Sequence, residues 1–140
     1  MRSFAEVSVG DEIPAQTYPL TRETLVRYAG AGGDFNRIHW NERFATSVGL
    51  PDVIAHGMLT MAEAARLVTN WVGDPGRVIE FGVRFTRPVV VADDGHGALL
   101  QVSGVVKEVD DADRTAVIAL TATVGGHTVL AKARAVVRLA

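Results

Sequence analysis

The sequence predicts one α+β domain, spanning residues 1–140, in which an antiparallel sheet wraps around a single long helix. Three observations support this fold class. The 140 residues suffice for one ordinary domain and are too few for two well-packed cores. One long apolar helical segment is followed by a series of strand-like segments. The connections between those strands are short, which favours antiparallel pairing.

The first half of the chain carries most of the helical signals. A short strand is expected around Asp11–Tyr18. Thr21 is placed to cap a helix that stops at Gly30, because threonine accepts the free N–H groups of a first helical turn. A second, short helix is expected over Asn41–Ser47. These two helices flank a glycine-rich segment that reads as a turn.

The long central helix is expected to begin near Gly57. Apolar residues recur there at helical spacing and predict one buried face, formed by Met58, Met61, Ala62, Ala65, Val68 and Val72. Three further apolar residues widen this stripe, so the helix is expected to be buried on most sides. A Gly-Asp-Pro-Gly sequence after residue 72 ends it.

Four strands are expected in the second half. The first alternates apolar and polar residues over Ile79–Phe85, and the others include Leu100–Val106, Thr115–Thr123 and Val129–Val137. A curved sheet of this size leaves an edge strand unpaired, which invites association with another chain. We therefore expect a dimer.

Composition excludes several classes of protein. A net charge of -2 and a pI of about 6.1 do not favour a nucleic-acid partner. The absence of cysteine excludes disulfides, thiolate metal sites and a cysteine nucleophile. The four histidines lack metal-ligand spacing and no phosphate-binding loop is present, so no metal or cofactor is expected. Without a signal peptide or a long apolar run, we expect a cytoplasmic protein with no membrane contact.

The glycine-rich segment carries the first candidate site. Asp34 and His39 would diverge by about 140° on a continuous helix, whereas a turn can bring them together. A carboxylate beside an imidazole can transfer protons near neutral pH. Asn36 between them can hold the turn through its side chain. The alternative is that Asp34 and Asn36 only form turn hydrogen bonds and His39 only starts a helix.

A second candidate site lies at the start of the central helix. The N–H of Gly57 would be free at a helix N-terminus and unobstructed by a side chain, which suits an oxyanion formed on a thioester carbonyl. The alternative is that Gly57 only permits tight entry into the helix. Taken alone, His56 is expected to be structural.

Together the two segments resemble the MaoC-like (R)-specific hydratase/dehydratase family. Its hydratase signature is matched by Tyr28, Gly33, Asp34, Asn36, Ile38, His39 and Ala45, and its second motif by His56-Gly57-Met58. The resemblance covers nearly the whole chain and is closest to the catalytic beta subunit of heterodimeric (3R)-hydroxyacyl-ACP dehydratases. Arg37 stands where the family usually has proline; it gives up the restraint that proline would place on Asn36 and adds a charge.

The resemblance implies the hotdog fold and a (3R)-3-hydroxyacyl-thioester dehydratase, a hydro-lyase that runs in reverse as a trans-2-enoyl hydratase. It implies acyl-ACP as substrate, in fatty-acid or related lipid or polyketide synthesis, and a second hotdog subunit as partner. The catalytic residues would be Asp34, His39 and Gly57. Supporting and substrate-binding roles would fall to Asn36, His56, Tyr28, Gly33, Ile38 and Met58.

Three alternatives remain open beside this interpretation. A homodimeric (R)-specific enoyl-CoA hydratase would use the same chemistry on a different carrier. A hotdog thioesterase would hydrolyse the thioester, but the arrangement of Asp34 and His39 argues against it. A non-catalytic subunit that only binds the acyl chain is disfavoured because both residues are present.

Overall fold

Five strands form one antiparallel sheet in the computed structural model, which describes every residue from Met1 to Ala140. The strands are β1 (Glu12–Leu20), β2 (Val78–Phe85), β3 (Ala98–Asp110), β4 (Thr115–Val124) and β5 (His127–Arg138). Their order in the sheet is β1-β3-β4-β5-β2, and every neighbouring pair is antiparallel. The sheet therefore has two edges, β1 and β2.

Three α-helices complete the fold: α1 (Arg22–Gly32), α2 (Glu42–Ser47) and α3 (Gly57–Val72). The predicted cap is confirmed, since the Thr21 side chain accepts the N–H of Thr24. The predicted end of α1 is wrong by three residues, because the helix continues through Gly30 and stops only where Gly33 adopts a left-handed conformation with φ of 70°. None of the helices combines the length and apolar character needed to cross a membrane.

The sheet wraps around α3, as the sequence predicts. This helix contacts strands at both edges and within the sheet, namely β1, β2, β3 and β5. Leu67 and Val68 of α3 are fully buried, as are Leu100 and Ile118 on the strands. Together they belong to one continuous apolar core. The predicted architecture, a long central helix enclosed by an antiparallel sheet, is confirmed.

The predicted buried face of α3 is partly wrong. The residues of the helix that are buried are Leu59, Thr60, Ala64, Leu67, Val68 and Val72. Met58 is 57% exposed and Ala62 is also exposed. Because α3 is apolar around most of its circumference, a spacing of three and four residues fits two adjacent stripes equally well. Packing against the sheet selects one of them.

Strand β2 is an edge strand with apolar side chains in solvent. Its alternating pattern correctly predicts a strand, but Ile79 is 54% exposed and Phe85 is 51% exposed. It pairs only with β5, so part of its backbone hydrogen-bonding capacity points outward. Two register shifts, between Val78 and Glu80 and between Gly82 and Arg84, further disturb the strict alternation between two faces.

Candidate active site

A turn between α1 and α2 brings Asp34 and His39 together. The Asp34 carboxylate accepts the N–H of Asn36 through Oδ1, at 3.1 Å, and Asn36 Oδ1 accepts the N–H of Ile38 at 3.2 Å. The chain bends back as a result, and Asp34 Oδ2 lies 3.8 Å from His39 Nε2. The structure thus combines both sequence interpretations, because Oδ1 holds the turn while Oδ2 faces the imidazole.

Arg37 does not prevent the turn from adopting the geometry that proline would impose. Asn36 has φ of -56° and ψ of 126°, an extended conformation of the kind required before proline. The two side-chain hydrogen bonds to the backbone hold this conformation here. The loop that carries the candidate residues is therefore ordered by Asp34 and Asn36 instead of by a pyrrolidine ring.

The protonation pattern of His39 follows from one contact. Its Nδ1 lies 2.7 Å from the backbone carbonyl oxygen of Ile54, which can only accept a hydrogen bond. Nδ1 must therefore carry the proton, and in the neutral ring Nε2 is a free acceptor. The 3.8 Å separation from Asp34 is too long for a direct hydrogen bond. A hydroxyl oxygen beside both groups could contact each of them.

His56 connects this turn to the start of α3. It is 2% exposed, and its Nε2–H donates to the backbone carbonyl of Asp34 at 3.1 Å. Its ring stacks on that of His39, with centroids 3.8 Å apart, and also contacts the tilted ring of Tyr28, with centroids 4.8 Å apart. Its Nδ1 is buried and has no hydrogen-bond partner. Burial, reinforced by the nearby His39, lowers the pKa of His56, so this ring is neutral near pH 7.

Asp34, His39 and His56 also offer ligand atoms that lie within 4.8 Å of one another, as a metal site would require. The two imidazole planes are inclined by only 23° and are stacked. Because nitrogen lone pairs lie in the ring plane, stacked rings do not direct both pairs at one point. The arrangement therefore fits a proton-transfer site better than a metal centre.

A cavity of about 340 Å³ opens beside His39 and Gly57. Its wall includes Thr60, Phe85 and Leu130 and is half apolar. As the first residue of α3, Gly57 has an N–H without an intrahelical acceptor. A Cβ at this position would lie 3.1 Å from the Phe85 ring. The glycine therefore lets Phe85 approach closely and keeps the helix terminus open to the cavity.

Four of the residues predicted to bind substrate lie outside the cavity wall. Tyr28 supports His56, and Gly33 forms the left-handed end of α1. Ile38 accepts the N–H of Ile54 through its backbone carbonyl. Met58 is on the exposed side of α3. Each of them lies within or next to the two motifs, but none is part of the cavity wall.

Sequence reasoning missed several residues of the cavity wall. Ile54 acts through its backbone carbonyl, which leaves no signature in the side-chain sequence. Phe85 and Arg87 come from the end of β2 and the segment after it, far from both motifs in the chain. The alternating pattern of β2 was the only available signal, and it indicates a strand without saying what the strand faces.

The known proteins that this chain resembles in structure and in sequence include proteins described as dehydratases. A solved structure described as a MaoC-like dehydratase has a TM-score of 0.95 and 43% identity, covering 99% of this chain and 42% of that chain. The "3-hydroxyacyl-thioester dehydratase X" of Mycobacterium tuberculosis is 40% identical over 78 residues, which are 56% of this chain and 27% of that protein. This chain thus corresponds to less than half of either longer protein.

A third relative is comparable in length to this chain. The "3-hydroxybutyryl-CoA dehydratase" of Methylorubrum extorquens is 30% identical over 112 residues, covering 79% of this chain and 68% of that protein. Residues 5–126 match the family described as "MaoC like domain", which accounts for most of the chain and contains both motifs. The chain therefore belongs to the MaoC-like domain family and has its hotdog fold.

Proposed function

We propose that this chain is a hydro-lyase that adds water to trans-2-enoyl thioesters and removes it from (3R)-3-hydroxyacyl thioesters. One observation carries the proposal: the contact with Ile54 occupies Nδ1 of His39, so Nε2 is the nitrogen that faces the Asp34 carboxylate, beside the cavity that Gly57 also borders. The names of the relatives support it, since both curated proteins described above are dehydratases of hydroxyacyl thioesters or a hydroxyacyl-CoA.

His39 and Asp34 act on the same water molecule. In hydration, His39 Nε2 accepts a proton from water as its oxygen bonds to C3 of the enoyl group, while Asp34 holds the same water. The proton on His39 is then delivered to C2. One hydroxyl and one proton are thereby added across the double bond, and the site returns to its starting state. Dehydration follows the same steps in reverse.

Negative charge develops on the thioester oxygen when water adds to C3. The free N–H of Gly57, at the positive end of α3, is the proposed donor to this oxygen. Loss of one such donor commonly costs about 2.7–4 kcal/mol of transition-state stabilisation. The catalytic set is therefore Asp34, His39 and Gly57, with Asn36 and His56 in support.

The substrate's carrier and the protein partner are further parts of the proposal. The carrier is ACP, which holds the acyl group on its phosphopantetheine arm, with CoA as the alternative. A second hotdog subunit would cover the edge formed by β2, where Ile79 and Phe85 are half exposed and backbone groups point outward. It would be a different subunit in a heterodimer or a second copy of this chain in a homodimer.

The test is hydration of crotonyl-CoA and crotonyl-ACP by purified protein, followed by the loss of enoyl absorbance. Asp34→Asn and His39→Ala should each lower kcat by a factor of about 100 or more. His127→Ala, an exposed histidine at the start of β5, is the matched control and should retain activity. Wild-type-like turnover in either site variant would refute the assignment. Strong turnover of crotonyl-CoA by this chain alone would favour a homodimeric hydratase over an ACP-dependent heterodimer.

A further inference from the structure

A second cavity lies on the outer side of the same turn, against α2. It has a volume of about 290 Å³ and is lined by Arg37, Asn41, Arg43, Phe44 and Ser47. Arg37 lies in the chain between Asp34 and His39, at the position where the sequence signature has proline. The segment therefore contributes His39 to the wall of one cavity and Arg37 to the wall of another.

The charge in this second cavity is not compensated. Neither Arg37 nor Arg43 forms an ion pair or a side-chain hydrogen bond, whereas Arg22, Arg27, Arg66, Arg77 and Arg134 all pair with carboxylates. No acidic residue lines the cavity. The neighbouring Glu42 lies 3.7 Å from Arg22. Two guanidinium groups thus share one pocket with no protein anion to occupy them.

The contacts in this cavity hold its polar groups in place. Arg37 lies over the ring of Phe44, at 3.9 Å from its centroid, which restricts the guanidinium while leaving its N–H groups free. The Asn41 side chain accepts the N–H of Phe44 at 2.9 Å through Oδ1, so its amide NH2 remains available. Two arginines and one amide donor provide the forked hydrogen bonding that suits a phosphate.

We propose that this second cavity binds the phosphate that joins the pantetheine arm to its carrier. This rests on the proposed function, because enoyl thioesters of both CoA and ACP carry that phosphate at the far end of the arm from the thioester. Arg37 and Arg43 provide the charge, and Asn41 provides a neutral donor. The replacement of proline by Arg37 then strengthens carrier recognition instead of weakening the loop.

The test measures binding without requiring turnover. Dissociation constants are determined by calorimetry for coenzyme A, phosphopantetheine and pantetheine, using the wild-type chain, Arg37→Gln and Arg43→Gln. Arg138→Gln is the matched control, since Arg138 is an exposed arginine without an ion pair at the end of β5. We expect each cavity variant to lower the preference for phosphopantetheine and coenzyme A over pantetheine by about fivefold, as loss of one exposed charge contact would.

An unchanged preference in both cavity variants would overturn the proposal, as would a similar loss in Arg138→Gln or equal weakening for all three ligands. Loss confined to coenzyme A would also overturn it, because the site would then bind the nucleotide's phosphates. Because these measurements need no catalysis, they are independent of the proposed chemistry. If Asp34→Asn retained activity while the phosphate preference fell as expected, the chemistry would be refuted and the phosphate site would stand.

Discussion

The histidine beneath the candidate site provides a test that separates positioning from packing. His56→Phe replaces the imidazole by a ring that can still stack on His39 and contact Tyr28. It removes the hydrogen bond from Nε2 to the Asp34 carbonyl, and also the buried Nδ1 that has no partner. The substitution therefore releases the turn that carries Asp34 while leaving most of the packing in place.

The expected effects on stability and on activity differ widely. The net contribution of one hydrogen bond to the free energy of unfolding is about 0.5–1.5 kcal/mol, and a buried acceptor without a partner lowers that free energy by about 1–3 kcal/mol. Because these two changes oppose each other, the free energy of unfolding of His56→Phe should lie between about 0.5 kcal/mol below and about 2.5 kcal/mol above that of wild type. The Asp34 carboxylate, whose side chain is 53% exposed, has no other anchor to α3, and a displacement of about 1 Å can cost a factor of 100 in rate.

The assay compares His56→Phe with His56→Gln, whose amide nitrogen can still donate to the Asp34 carbonyl. We expect kcat for enoyl hydration to fall between about tenfold and 100-fold in the phenylalanine variant and to recover in large part in the glutamine variant. Urea unfolding of both proteins reports stability. Full activity in His56→Phe would refute a positioning role. A loss of several kcal/mol in unfolding free energy would assign the residue to packing instead.

Four further predictions follow from the described contacts. Gly57→Ala should lower kcat/KM about tenfold or more with little change in Tm, because its methyl group enters the cavity 3.1 Å from Phe85, a half-exposed ring that can shift. Gly97→Ala should lower the unfolding free energy by about 3 kcal/mol or more, since φ is 68° and the new Cβ would overlap the carbonyl of Leu20; wild-type stability would contradict this. Arg37→Pro should be more stable than Arg37→Gln by about 0.4–1 kcal/mol in urea unfolding, because Asn36 is already extended. Because the pKa of His56 is lowered by folding, its contribution to stability is complete above about pH 6.5 and declines as pH falls towards the folded-state pKa; His56→Gln should flatten this slope in urea titrations.

Sequence reasoning predicted the elements of this fold better than their surroundings. The start of α3 at Gly57 and the four strands after it were predicted because periodicity is a local property of the chain. The exposure of Met58 and Ile79 was not predicted. Whether an apolar residue is buried depends on which neighbours the fold brings to it, and periodicity contains no information about those neighbours.

The same distinction holds for the candidate site, where residue types and spacing could be interpreted from the sequence but contacts made by the fold could not. Asp34 and His39 could be singled out because their residue types and spacing suit proton transfer, and the structure places them 3.8 Å apart. The contact of His39 with Ile54 could not be foreseen, because it involves a carbonyl that every residue has. The stacking of His56 on His39 was equally hidden, since it joins segments 17 residues apart through a turn.

The carbonyl of Ile54 accepts a hydrogen bond from His39 whether the ring is neutral or charged. In the proposed mechanism the imidazole therefore needs no rotation between taking up a proton and giving it away. The segment that carries this carbonyl is itself fixed, because the N–H of Ile54 bonds to Ile38 and the N–H of Ala55 to Val89. The contact with His39 thus depends on the path of the main chain at position 54 and not on which side chain stands there.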